Sequence, residues 1–141
     1  MARRLSTRRA LPGWTAVGFA TLLALAGCAQ VDAPDAAATA VAFASAEPDR
    51  ACALLAPDTA ETLSAHAGGC PAALADLALP HPGTAAGVAV EVAGESAQVQ
   101  LPGQVLFLAR FPRGWLVTAA GCLRPDPDPD PAVPYECEVE P

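Results

Sequence analysis

Two hydrophobic periods divide the chain. Between residues 36 and 77 the larger apolar residues fall in short runs separated by proline and glycine, and from residue 87 onward they alternate. The first half predicts four short helices. Residues 36–46 carry Val41 and Phe43 in an alanine background, with Asp35 placed to cap them. Glu47-Pro48-Asp49 breaks that helix, Asp49 caps a second over 50–55, and Pro57 ends it. Asp58, with Glu61 three residues later, resembles a capping box opening a third helix over 59–65. Gly68-Gly69 stop it, and Cys70-Pro71 opens a fourth over 71–77.

Pro80, Pro82 and Gly83 mark the change of period. Residues 87–92 place Val88, Val90 and Val92 on one face and Ala89 and Glu91 on the other. Gly94-Glu95 turns the chain into 97–101, where Val99 and Leu101 point inward and Gln98 and Gln100 outward. After Pro102-Gly103, residues 105–111 are apolar on both faces apart from Arg110, as expected of a central or covered strand. Pro112-Arg113-Gly114 turns into 115–122, with Trp115, Val117 and Ala119 predicted on one face. A last strand is predicted over 135–140. Helices followed by an antiparallel meander predict an α+β fold, an N-terminal helical layer packed on a curved antiparallel sheet.

The N-terminal segment reads as an address. Arg3, Arg4, Arg8 and Arg9 precede an uncharged apolar stretch, 10–27, that closes in Leu25-Ala26-Gly27-Cys28. A basic region, an apolar region and small residues at its end form a secretory signal. The last four residues resemble the lipobox of bacterial lipoproteins. That resemblance implies cleavage before Cys28 and lipidation of its thiol. An uncleaved membrane anchor and ordinary secretion are the alternatives; for an anchor, 18 residues is short for spanning, and Pro12-Gly13 weakens the helix. Residues 1–27 are thus expected to be a lipoprotein signal peptide, 28–35 a polar tether and 36–141 a single domain. The arginine bias places the body on the extracytoplasmic face of the cell membrane.

Setting Cys28 apart leaves an even set: Cys52, Cys70, Cys122 and Cys137. In an exported small domain they read as two disulfides with three possible connectivities. Cys52–Cys70 and Cys122–Cys137 are the expected pairs, because each closes a local loop, of 18 and 15 residues. Free thiols or a zinc site are the alternatives. Neither pair has the Cys-x-x-Cys spacing of zinc ligands, so no metal and no cofactor is expected.

Composition narrows the function classes. The chain is 52% hydrophobic, too apolar for a disordered one, and its net charge is −7. All 15 acids follow Cys28, opposed there by four arginines, a side-chain balance of −11. Such a surface argues against nucleic acid as a partner. There is no Lys, Asn or Ile, against 34 Ala, which points to a GC-rich, bacterial genome. Without lysine, Schiff-base and P-loop lysine chemistry are excluded.

The strings LFLARFPRGWLVTAAGC, Pro-Tyr-Glu-Cys and CALLAP resemble a group of small, uncharacterised actinobacterial lipoproteins, similar in layout to the NTF2-like (cystatin-like) cone. The resemblance covers roughly residues 36–140 and implies a helical layer over a bent sheet. NTF2-like enzymes use a carboxylate or histidine deep in the cone as a general base. No motif of that kind maps onto this chain, so no catalytic residue is carried over.

His66 and His81 read as loop or helix-end residues, and no serine lies in a nucleophile elbow. Asp76 and Glu91 read as solvated. Arg110 has two readings: an anion contact in a pocket, or a solvent-facing arginine snorkelling past Leu106 and Leu108, which is preferred. Asp126, Asp128 and Asp130 alternate with prolines in a loop that a Cys122–Cys137 bridge would close. The loop lacks the glycine and glutamate pattern of an EF-hand. The expected function is non-catalytic: a lipid-anchored envelope protein binding another envelope protein or a small molecule. The alternative is an isomerase or hydrolase using an NTF2-like pocket.

Overall fold

The computed structural model describes residues 27–82, 87–125 and 133–141, with side chains from Asp32 onward. The fold is α+β. Four helices, α1 (Gly27–Ser45), α2 (Pro48–Ala53), α3 (Pro57–Ser64) and α4 (Gly69–Leu77), precede four strands. These are β1 (Ala89–Ala93), β2 (Ser96–Leu101), β3 (Gln104–Phe111) and β4 (Gly114–Cys122). The strands form one antiparallel sheet in the order β1-β2-β3-β4. Tight turns join consecutive strands, so neighbours in sequence are neighbours in space.

Two helix starts differ from the predicted ones for one reason. Prolines at Pro48 and Pro57 occupy the first helical turn, where a missing N–H costs nothing, so Glu47 and Ala56 become the caps. Pro57 therefore opens α3 rather than ending the helix before it. The expected tether, 28–35, is helical: α1 runs through it from Gly27 and contains Pro34, so Asp35 is not a cap. Pro34 has no N–H to offer the carbonyl one turn back, a loss confined to the early part of the helix. Ahead of α4, Gly68 takes φ +90°, and a Cβ there would lie 2.7 Å from the Ala72 Cβ. That position needs glycine on both counts.

All four helices lie on one side of the core. α1 buries Ala36, Ala40, Phe43 and Ala44, a single stripe at helical spacing. Against the helices pack Ala97, Val99 and Leu101 of β2, Leu106 and Leu108 of β3, and Trp115 and Val117 of β4. The inward and outward assignments for β1 and β2 hold, and β3 is an inner strand as expected.

β4 departs from simple alternation. Phe107 pairs with Ala119 but Leu108 with Val117, so Thr118 is an extra residue, and a second shift follows between Phe107 and Val105. A bulge flips the residues beyond it. Ala119, predicted beside Val117, shares the opposite face with Phe107, and Ala120 takes the fully buried place. The bulge is fastened from both sides. Thr59 Oγ1, on α3 and fully buried, donates to the Thr118 carbonyl (2.9 Å), and Thr118 Oγ1 donates to the Phe107 carbonyl (3.1 Å).

No fifth strand forms over 135–140. That segment meets the outer edge of β4 at two isolated antiparallel bridges, Ala120 with Val139 and Leu123 with Glu136. Further along the same edge, the α2–α3 connection makes a parallel bridge, Leu55 with Val117. At the second shift Gly121 has φ +66°, and an added Cβ would lie 2.8 Å from Leu79 and 3.0 Å from Glu138. The disulfides are Cys52–Cys70, joining α2 to α4, and Cys122–Cys137, joining the end of β4 to the C-terminal segment.

Thr59→Val keeps the shape of the side chain and leaves the part-buried Thr118 carbonyl without its donor. The expected loss is about 1–3 kcal/mol of unfolding free energy. Urea denaturation of the two proteins measures it, and equal midpoints would remove the bulge clamp from the account.

Candidate functional site

The sheet face beneath the helices is filled. Val99, Leu106 and Val117 are fully buried there, and Leu108 nearly so. The recesses lie elsewhere. One is a cleft of about 440 Å³ where α1 and α4 end, with Phe43, Ala51 and Leu74 in its wall and Ser45, Glu47 and His81 at its rim. Local sequence builds it. Glu47-Pro48 breaks the chain after α1 and turns it into α2. Ala78, in the left-handed conformation at φ 49°, turns it out of α4 towards His81. His81 Nδ1 lies 2.9 Å from the Ala44 carbonyl. Only a protonated ring nitrogen can face a carbonyl oxygen, so Nδ1–H is the donor and it satisfies one of the last carbonyls of α1.

A second recess, of about 430 Å³, lies on the opposite face of the sheet and is bordered by Glu91, Gln98, Phe107 and Thr118. Tyr135 reaches back across this face. Its ring meets Phe107 edge-on at 5.3 Å, its hydroxyl accepts from Gln98 Nε2 at 3.3 Å, and the Arg124 guanidinium lies 4.6 Å from its centroid.

Arg110 belongs to neither recess. It sits at the rim of the helix-covered face, on the same side as Leu106 and Leu108. Its Nη2 pairs with Asp32 Oδ1 of α1, and its guanidinium lies 4.9 Å from the centre of the Trp115 ring. Its backbone N–H donates to the Glu95 carbonyl. Thus Arg110 spends its charge inside the molecule, tying the start of α1 to the end of the sheet that holds the β1–β2 and β3–β4 turns. The nearby Trp115 Nε1 is buried and has no hydrogen-bond partner among the described residues.

The other expected residues are dispersed. His66 is exposed between α3 and α4, Asp76 is exposed on α4, and Glu91 is exposed opposite Gln98. Cys28 lies in the first turn of α1, and its side chain, like residues 1–26 and the Asp126, Asp128 and Asp130 loop, is outside the described residues. Among the described residues no three His, Cys, Asp or Glu side chains gather as a metal site requires. None of their helices is long and apolar enough to cross a membrane.

Sequence reasoning missed three positions. Glu47 was readable only as part of a helix break, and nothing in the sequence brings it to His81. Gln104 is 3% exposed, and holds the Pro80 carbonyl (2.6 Å) and the Gly121 N–H (2.9 Å). It sits just after a Pro-Gly turn, a position that ordinarily faces water. Tyr135 falls in the strand predicted over 135–140, and nothing in the sequence points to its contact across the sheet face. No protein-family model, curated protein or solved structure matches this chain.

The Arg110–Asp32 pair is partly exposed, 39% and 33% by side chain. A double-mutant cycle with Arg110→Gln and Asp32→Asn is expected to give a coupling of no more than about 1 kcal/mol. A coupling of several kcal/mol would show a desolvated pair and contradict that placement.

Proposed function

We propose that this chain is a lipid-anchored protein of the bacterial cell envelope, held at the outer face of the membrane through Cys28. Its domain is a binding or accessory module rather than an enzyme. The observation that carries the reading is Leu25-Ala26-Gly27-Cys28 closing an uncharged stretch that follows four arginines. Two disulfides support it, since such bridges persist in exported domains and are rare in a reducing cytosol. The α+β layout, helices first and an antiparallel sheet after, is the one expected from the resemblance to small actinobacterial lipoproteins.

α1 gives the anchor a geometry. Cys28 precedes Ala36, the first buried residue among the described side chains of the helix, by eight positions, about 12 Å of helix at 1.5 Å per residue. A lipid on Cys28 therefore holds the domain close to the bilayer. The cleft lies at the other end of α1, about 25 Å of helix from Cys28. Two or more acyl chains suffice for stable anchoring, each buried methylene contributing about 0.8 kcal/mol.

Cys28→Ala is expected to leave the protein unprocessed or to release it from the membrane, and to abolish labelling by an alkynyl fatty acid. Cell fractionation with intact mass spectrometry reads both outcomes. A cleaved Cys28→Ala protein that stays on the membrane, or a wild-type protein carrying no lipid, would overturn the anchor.

A further inference from the structure

The cleft at the end of α1 has a charge that its own residues leave unbalanced. α1 and α4 both end at it, and neither has a basic side chain in its last turn. Free carbonyls make the C-terminal end of a helix partially negative. Glu47 adds a full negative charge at the rim and has no ion-pair partner among the described residues. The start of α2 offsets little of this: Pro48 has no N–H, and the N–H groups of Arg50 and Ala51 are taken by the Glu47 carbonyl. His81 answers one carbonyl of α1. Arg50 does not line the cleft, though it borders an adjoining depression together with Glu47. Beneath this polar rim the wall is apolar, formed by Phe43, Ala51 and Leu74, and the volume of about 440 Å³ suits a small organic molecule.

We infer that this cleft binds a small organic cation, a primary or substituted ammonium on a compact apolar body. The body packs against Phe43 and Leu74. The ammonium faces Glu47 and the carbonyl ends of the two helices. This names a ligand class for the domain proposed above as a binding module, and it does not depend on the anchor.

The test is titration calorimetry on the full chain in a non-ionic detergent, with phenethylammonium as the probe and an empty-micelle blank. One saturable site per chain is expected. Phenylacetate, the same ring with the opposite charge, is expected to bind at least about ten-fold more weakly, the equivalent of about 1.4 kcal/mol. Glu47→Gln removes the charge at an exposed position and is expected to weaken phenethylammonium about three- to ten-fold. Ala75→Phe, an exposed position on the rim, fills the cleft and is expected to abolish binding. Asp58→Asn, on α3 and outside the cleft, is expected to bind as the parent does. Circular dichroism and thermal melts establish that each variant is folded. Absence of binding to the folded parent, equal binding of phenylacetate, or full binding by both Glu47→Gln and Ala75→Phe overturns the site. Mass spectrometry on the same preparation separates the two readings. Binding without lipid on Cys28 refutes the anchor and leaves the cleft, and lipid without binding does the reverse.

Discussion

The outer edge of β4 is a row of backbone donors and acceptors that must find partners, and the rest of the molecule is arranged to supply them. β3 satisfies one edge. On the other, the N–H of Val117 donates to the Leu54 carbonyl and its carbonyl accepts from Ala56. Ala120 exchanges both bonds with Val139, and Leu123 both with Glu136. Two segments from opposite ends of the domain thus share one edge, and each is held by a disulfide nearby. Cys52 lies three residues before Leu55, and Cys137 lies between Glu136 and Val139. The bridges work where pairing is sparse, since an isolated bridge has no neighbouring ladder bonds to support it.

The same edge explains why β4 bulges at Thr118. A regular strand would present Val117 and Ala119 to the helices and turn Ala120 outward. One extra residue returns Ala120 to the core and leaves the Thr118 carbonyl facing α3, where Thr59 meets it. Small residues let α1 sit close to this surface. Ala36, Ala40 and Ala44 bury little area each, so Phe43 and the strand residues carry most of the apolar burial on that side. One helix then connects both ends of the molecule: its start is tied to the sheet turns by Arg110, and its end forms the wall of the cleft.

Much of the fold was legible because its signals are local. Pro-Gly and Gly-Glu turns delimit the strands, and Val88, Val90, Val92, Val99 and Leu101 show their inward face by alternation. The cysteine pairs followed from loop length. α1 was legible only in part, because an alanine-rich helix hides its buried stripe among identical residues, and its start lay in a segment read as polar. The site was less legible still. Arg110 stood out for its apolar strand, yet its partner Asp32 lies 78 positions away and carries no mark of the pairing. Glu47 and His81 reach one cleft only because two helices end together.

The sequence alone settles what depends on neighbours along the chain: helices before strands, turn positions, the strand faces up to β3, and the acidic composition of the domain. It also contains the lipobox-like segment from which the anchor is proposed. Tertiary structure decided what depends on distant partners. It turned the last expected strand into two bridges, because the shifts in β4 leave only part of its edge in register for pairing. It buried Gln104 between the Pro80 carbonyl and the Gly121 N–H, groups that no local pattern links. It also placed the carbonyl ends of two helices beside one carboxylate. A charge imbalance of that kind comes from helices meeting in space, and no residue spacing encodes it.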